Sequence, residues 1–202
     1  VADISAKDVK QLRDRTGAGM MDSKSALQES GGDMDKAVDI LRVKGQAQAA
    51  KRGERAASEG VVSSYIHATG KIGAMVEIDC ETDFVANTDQ FQAFAREVAL
   101  HVAAHGPVYV SEEDVPEEAR EAELRVLREQ AAEEGKPEQV QQKMAEGRLA
   151  KWLDEVVLLR QVHPNKDKHE GKTIEELRTE LASSTGENVV IRRFERFAVG
   201  EE

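Results

Sequence analysis

The chain has one cysteine, four prolines and few aromatics, with tryptophan, tyrosine and phenylalanine making up 4 % of its 202 residues. A single thiol, Cys80, excludes an intramolecular disulfide and any zinc centre built on two thiolates. No window approaches the ~18 to 20 consecutive apolar residues of a membrane-spanning helix, so no membrane association is expected. The opening residues read as a capped amphipathic helix rather than a leader, which points to the cytosol or an organelle matrix. Basic residues are outnumbered, 28 Lys and Arg against 39 Asp and Glu, for a net charge of −11. Gripping a phosphate backbone needs clustered Lys and Arg, so direct nucleic-acid binding is not expected and a protein or small-molecule partner is. Phosphate loops are missing too. Gly17-x-Gly19 follows no strand and has no third glycine, and Thr69-Gly70-Lys71 reads as a hairpin turn.

What is present begins with three short helices. Ser5 and Asp8 cap the first, which carries Val9 and Leu12 on one face until the turn Thr16-Gly17-Ala18-Gly19. Asp22 is expected to cap a second helix with Ala26 and Leu27, stopped by Gly31-Gly32. Asp33 then caps a third with Met34, Ala37, Val38 and Leu41. This defines a compact module over residues 1–45, more suited to docking than to catalysis, followed by an exposed helical linker over 46–58. Met20 and Met21 sit on the glycine turn between Arg13 and Lys24. Two neighbouring methionines there cannot both point inward, and methionine is an adaptable contact residue, so an exposed contact corner competes with simple core packing.

A core region over 59–112 follows. Residues 60–68 and 71–80 pair as a hairpin about Thr69-Gly70, with His67 opposite Ile72 and Cys80 opposite Glu59. At ~3.3 Å per residue, Cys80 and His67 then lie on the order of 26 Å apart, which rules out a nucleophilic pair. The second strand ends in a corner, Thr82-Asp83-Phe84-Val85-Ala86-Asn87. By composition Phe84 belongs in the chain's own core. However, Asn87 and Gln90 are expected to cap a helix whose stripe of Phe91, Phe94, Ala95, Val98 and Val102 already furnishes aromatic core. That frees Phe84 to be presented to a partner.

Residues 113–162 read as two long charged helices, about 117–134 and 137–161, broken at Gly135-Lys136-Pro137. Their narrow apolar seams are Ala122, Leu124, Val126 and Leu127 in the first, and Val140, Met144, Leu149, Trp152, Leu153 and 156–159 in the second. An antiparallel hairpin arm is the expected form. The closing part, 163–202, holds a polar loop over 163–171, a helix with Ile174, Leu177 and Leu181, and a strand over 189–199. His101 and His105 lack the glutamate spacing of a zinc motif, and the loop with His163 and His169, whose two histidines and two acids could hold an ion only weakly, reads as solvent-facing, so no metal and no cofactor are expected.

Together these residues carry a resemblance. Leu12-Arg13, Thr16 to Asp22, Lys24 and Ala26-Leu27 are similar to the first motif of the bacterial elongation factor Ts family, and Glu77 to Asn87 to the second. Gly186-Glu187-Asn188, Arg192-Arg193-Phe194 and Arg196-Phe197 resemble its closing strand. Asp79 departs from the usual Asn or Val and adds a charge beside the corner. The resemblance implies an α+β fold: an N-terminal three-helix bundle like a ubiquitin-associated domain, then a small antiparallel sheet packed with helices, with a helical hairpin arm inserted. It implies guanine nucleotide exchange on elongation factor Tu in the bacterial cytoplasm, with no covalent chemistry. Asp83 and Phe84, flanked by Thr82 and Val85, would enter the partner's GTPase domain near its magnesium. Arg13, Met20, Met21 and Lys24 would touch the same domain, and His67 would serve the partner held mainly by a second copy. This short form has one core subdomain where longer relatives have two, which implies a homodimer and a two-plus-two complex. The rival reading is a protein-binding adaptor built on the three-helix module, and an enzyme using Cys80 comes third.

Overall fold

The structure, a computed structural model, describes residues 4–135 and 137–201. Lys136, the middle of the stop–start signal between the two long helices, lies outside the described residues. By contact density the chain divides into two compact units. The first comprises Val1–Ser63, Glu77–Arg96 and Glu176–Arg192, and the second Ser64–Val76, Glu97–Glu175 and Arg193–Glu202. The protein is α+β. Its strands β1 (Glu59–Ile66), β2 (Ile72–Cys80) and β3 (Val190–Ala198) form one antiparallel sheet in the order β1-β2-β3.

In the first unit, α1 (Ala6–Thr16), α2 (Met20–Glu29) and α3 (Met34–Arg52) share one core of Val9, Leu12, Ala26, Leu27, Ala37 and Leu41. These are apolar positions at the i, i+3, i+4 spacing that one helix face requires. Ser5 and Asp8 form the expected capping box on α1, and Gly17 closes that helix at φ 69°, a conformation glycine adopts without cost. Asp22 does not cap the second helix. That helix begins one turn earlier, at Met20, with Gly19 as its cap residue and no side-chain cap, which leaves Asp22 in the first turn, favourable to the helix dipole.

The 45/46 boundary falls inside α3, which continues unbroken to Arg52. The Arg52 guanidinium donates to the Ala182 carbonyl at 3.1 Å, and Arg42 pairs with Glu176. A Cβ at Gly45 would stand 3.0 Å from the Ser183 hydroxyl. α3 therefore lies against α9 (Ile174–Thr185) through Arg42, Gly45 and Arg52, while most of the described residues over 47–58 are exposed.

The hairpin register is the one that the sequence pattern predicts: the His67 amide donates to the Ile72 carbonyl at 2.8 Å. Gly60 faces the other strand so closely that a Cβ would lie 2.3 Å from the Ile78 carbonyl oxygen. A short helix, α4 (Asp83–Ala86), follows β2, and α5 (Asp89–His105) comes next. The stripe of α5 is buried throughout, from Phe91 to Val102. Its start is not capped by Asn87, which instead closes α4 by donating its side-chain amide to the Asp83 carbonyl at 2.8 Å. The Thr88 hydroxyl takes the capping role, accepting from the Phe91 amide at 3.3 Å. Gln90 turns to the Ser184 hydroxyl at 3.0 Å.

In the second unit, α6 (Glu117–Glu133) and α7 (Glu138–Val156) pack together, with Leu127, Ala131 and Ala145 buried. Val126 and Val140, expected in the seam, are 45 % and 42 % exposed, so the seam is narrower than the apolar run implies. The second helix stops at Val156 rather than near 161. The β-branched Val157 turns extended, at φ −104° and ψ 114°, and forms a parallel bridge with Tyr109. Leu153, Val157 and Val115 make a small core there with Tyr109, Trp152 and Val156.

The loop over 163–171 is not simply solvent-facing. It contains a helical turn, α8 (Lys166–His169), and its flanks are drawn together by the His163 amide donating to the Lys172 carbonyl at 2.9 Å. That pairing carries His163 inward until it is 5 % exposed.

Replacing Gly60 by alanine should force the two strands apart, because the clash is with backbone that cannot rotate away. A loss of about 3 kcal/mol is expected in urea unfolding, against about 1 kcal/mol for Gly70→Ala, where no atom stands in the way and only the positive φ is strained.

Candidate protein-binding corner

The corner after β2 owes its shape to a single carboxylate. Glu187 Oε2 accepts from the amides of Glu81 and Thr82, both at 3.0 Å, and its Oε1 accepts from the Thr82 hydroxyl at 2.6 Å. The grip is reciprocal, since Glu81 Oε1 accepts from the Asn188 amide at 2.7 Å while the Asn188 side chain donates to the Arg55 carbonyl at 2.9 Å. Charge-assisted hydrogen bonds of this kind are the stronger ones, and together they fix where α4 begins.

Thr82 is also the N-cap of α4, at φ −134° and ψ 152°, with its hydroxyl accepting from the Val85 amide at 3.4 Å. The turn is thus held at its first residue and at its last, by Thr82 and Asn87. Ala86 points into the core at 4 % exposure, Val85 is half-buried, and Asp83 and Phe84 face solvent. Phe84 is 83 % exposed, on a turn whose first and last residues are both held.

Asp79 does not add a loose charge to the corner. It is 9 % exposed and accepts from Arg192 Nε at 2.7 Å, so its charge is met inside the first unit. Cys80 is fully buried and donates weakly to the Thr82 carbonyl at 3.2 Å. Burial, and after it the Glu187 carboxylate, push its thiol up to about 11. A thiol that keeps its proton is no nucleophile at neutral pH.

The other residues singled out by sequence lie as follows. Met20 and Met21, 47 % and 76 % exposed, are both outside the helical core, flanked by exposed Arg13 and Lys24. Arg13 makes a two-pronged contact with Asp14 at 3.2 and 2.8 Å. These residues and the corner belong to the first unit, whereas His67 belongs to the second, exposed at the hairpin end with Nδ1 3.1 Å from the Tyr65 hydroxyl. Sequence reasoning missed Glu187 and Asn188 as positioning residues. Their place in the resemblance to the family's closing strand marked them, but not this role, because a polar pair after a helix-ending glycine looks like any loop.

Comparison with known proteins places the chain among translation elongation factors. A family model described as Elongation factor TS matches residues 23–170. The chain is 54 % identical over 201 residues to elongation factor Ts of Desulfitobacterium hafniense, covering all of this chain and 91 % of the relative. It is 55 % identical over 198 residues to that of Carboxydothermus hydrogenoformans, covering 98 % of this chain and 90 % of the relative. Identity to the Syntrophus aciditrophicus protein is 51 % over 199 residues, with 98 % of both chains covered. The chain belongs to the elongation factor Ts family.

Two expectations separate scaffold from presented surface. Glu187→Ala strands the Glu81 and Thr82 amides and should cost about 2 kcal/mol in urea unfolding, with faster hydrogen exchange at both amides, whereas Phe84→Ala should change stability by less than about 0.5 kcal/mol. At pH 8 the Cys80 thiol of the folded protein should react with iodoacetamide at least about a hundredfold more slowly than in the urea-unfolded chain. The reason is that its thiolate appears only as pH approaches 11, above the unfolded value of roughly 8.5.

Proposed function

We propose that the chain is a guanine nucleotide exchange factor that binds elongation factor Tu with GDP and speeds GDP release, making and breaking no covalent bond. The observation that supports this reading most is the solvent-facing Phe84 ring on a turn pinned by Glu187. A rigidly presented aromatic that finds no pocket in its own fold is an anchor for a pocket elsewhere, where burial recovers roughly 2 kcal/mol or more.

In this reading Phe84 wedges between helices beside the partner's Mg2+. The ion demands near-ideal octahedral oxygen coordination, so a small displacement of the groups around it weakens its hold on the nucleotide. Asp83 places a carboxylate where the displaced groups and waters were. Thr82 and Val85 hold the turn's shape, while Arg13, Met20, Met21 and Lys24 dock on the same GTPase domain, the methionines filling its irregular surface. Coupling between the factor and the nucleotide is reciprocal, so incoming GTP drives the factor off.

The working division of the chain is a ubiquitin-associated-like three-helix module at 1–45, a helical extension at 46–58, a core in two parts, 59–112 and 163–202, and a helical hairpin arm at 113–162. We further infer a homodimer in the bacterial cytoplasm, each copy contributing His67 to the partner molecule held chiefly by the other. Nucleic acid and membrane take no direct part. Support for the dimer comes from the second unit, where Ile66, Met75, Phe197 and Val199 are each more than half exposed around a hollow of about 740 Å³. A patch of large apolar side chains of this kind is commonly an interface.

Catalytic amounts of the protein should accelerate release of labelled GDP from elongation factor Tu, and Phe84→Ala should reduce kcat/KM by about 30-fold, the equivalent of a ~2 kcal/mol anchor. Light scattering should give twice the chain mass. Failure of the unmodified protein to speed release overturns the exchange reading, and a fully active monomer overturns the dimer.

A further inference from the structure

Four of the chain's five histidines gather in one place in the second unit. The His101 and His105 rings stack with centroids 4.3 Å apart, His101 lies 5.9 Å from His163, and His163 meets His169 edge-on at 4.2 Å. The family role assigned above uses none of them. Among these groups, Glu97, His163 and His169 each offer a ligand atom, and the three atoms lie within 4.8 Å of one another. We propose that Glu97 on α5, His163 and His169 bind a divalent transition-metal ion of the zinc type, tying the segment over 163–169 to α5.

The donor set suits such an ion. Two imidazoles and one carboxylate are the three protein ligands of an open zinc site, which completes its coordination with water. A tetrahedral site with bonds of 2.0–2.1 Å needs neighbouring donors about 3.3 Å apart. His169 Nε2 and Glu97 Oε2 are already 3.0 Å apart, so the change in donor spacing still needed is a contraction toward His163.

The buried nitrogens point the same way. His163 is 5 % exposed, and its Nδ1 accepts from the Asn165 amide at 3.2 Å. The ring proton then sits on Nε2, which is buried without a hydrogen-bond partner. A buried donor left unpaired is destabilising, and a ligand there removes that cost. With the ion on Nε2 the ring proton moves to Nδ1, so the Asn165 peptide N–H must give up its bond to that nitrogen. Burial, and then the neighbouring His169, lower the His163 pKa, so the ring is neutral and able to coordinate at pH 7.

His101 forms the neutral wall behind the set. Gln161 donates to the Glu155 carbonyl at 2.6 Å, which aims its Oε1 at His101 Nε2 at 2.8 Å and fixes that ring's tautomer. Burial pushes His101 down to about 4, so it brings no repelling charge. Lys168 is the competitor, because its ammonium now pairs with Glu97 and holds that carboxyl below its usual range against the opposing effect of burial. The lysine is 55 % exposed and can swing away.

The test is metal binding by the chelator-stripped protein, with Zn2+ followed by calorimetry and Co2+ by its visible ligand-field bands. One ion per chain is expected, with a rise in Tm. Glu97→Gln and His169→Asn, both partly exposed and checked for an unchanged metal-free circular dichroism spectrum, should each weaken binding at least about tenfold and abolish the Tm rise. Lys168→Ala should tighten binding, and His67→Ala, at the histidine outside the group, should leave it unchanged. No uptake by the unmodified protein overturns the proposal, and so does uptake that survives both Glu97→Gln and His169→Asn.

Discussion

The presented surface of this protein rests on the carboxylate of Glu187. A strand that ends and a helix that begins within three residues leave backbone amides with no ladder partner and no helical one. Glu187 takes up two of these amides and the Thr82 hydroxyl at once. Because the pairing is with ionised oxygens in a half-buried setting, it is strong enough to hold an unfavourable feature in place, namely an aromatic ring in water. Remove the carboxylate and the turn keeps only its local caps, Thr82 to the Val85 amide and Asn87 to the Asp83 carbonyl, to hold Phe84 outward.

The same logic explains why the charge of Asp79 is met within the fold. A carboxylate in a strand beside the working corner should repel or retune whatever docks there, yet Arg192 from the closing strand meets it at 2.7 Å. Cys80, between them in sequence, is walled in and keeps its proton. The corner therefore presents only what faces outward, the ring of Phe84 and the carboxylate of Asp83, from a base whose other polar groups are already satisfied.

Family membership and the fold agree on what kind of molecule this is. The three helices whose core is Leu12, Leu27 and Leu41 carry exposed methionines on a glycine turn, and the sheet region carries the corner. Both features present exposed apolar side chains of the kind that make protein contacts. The histidine group is a separate matter. It sits in the second unit, where Glu97, His163 and His169 form the proposed ion site.

The periodic features were legible in the sequence. Apolar spacing determined α1 to α3 and their core, alternation about Thr69-Gly70 determined the hairpin register, and a helix already supplied with Phe91 and Phe94 released Phe84 to the surface, because such patterns follow from the geometry of one element. Local competition was harder to read. Thr88 rather than Asn87 caps α5, since Asn87 is consumed in closing α4, and α7 ends at Val156 because Val157 pairs with Tyr109 about fifty residues away. Only tertiary structure decided that Glu187 grips the corner from 105 residues off, that Arg192 meets Asp79, and that a polar loop turns His163 inward to join His169 and Glu97. Each depends on a single side chain reaching a distant element, and no local period records such a contact.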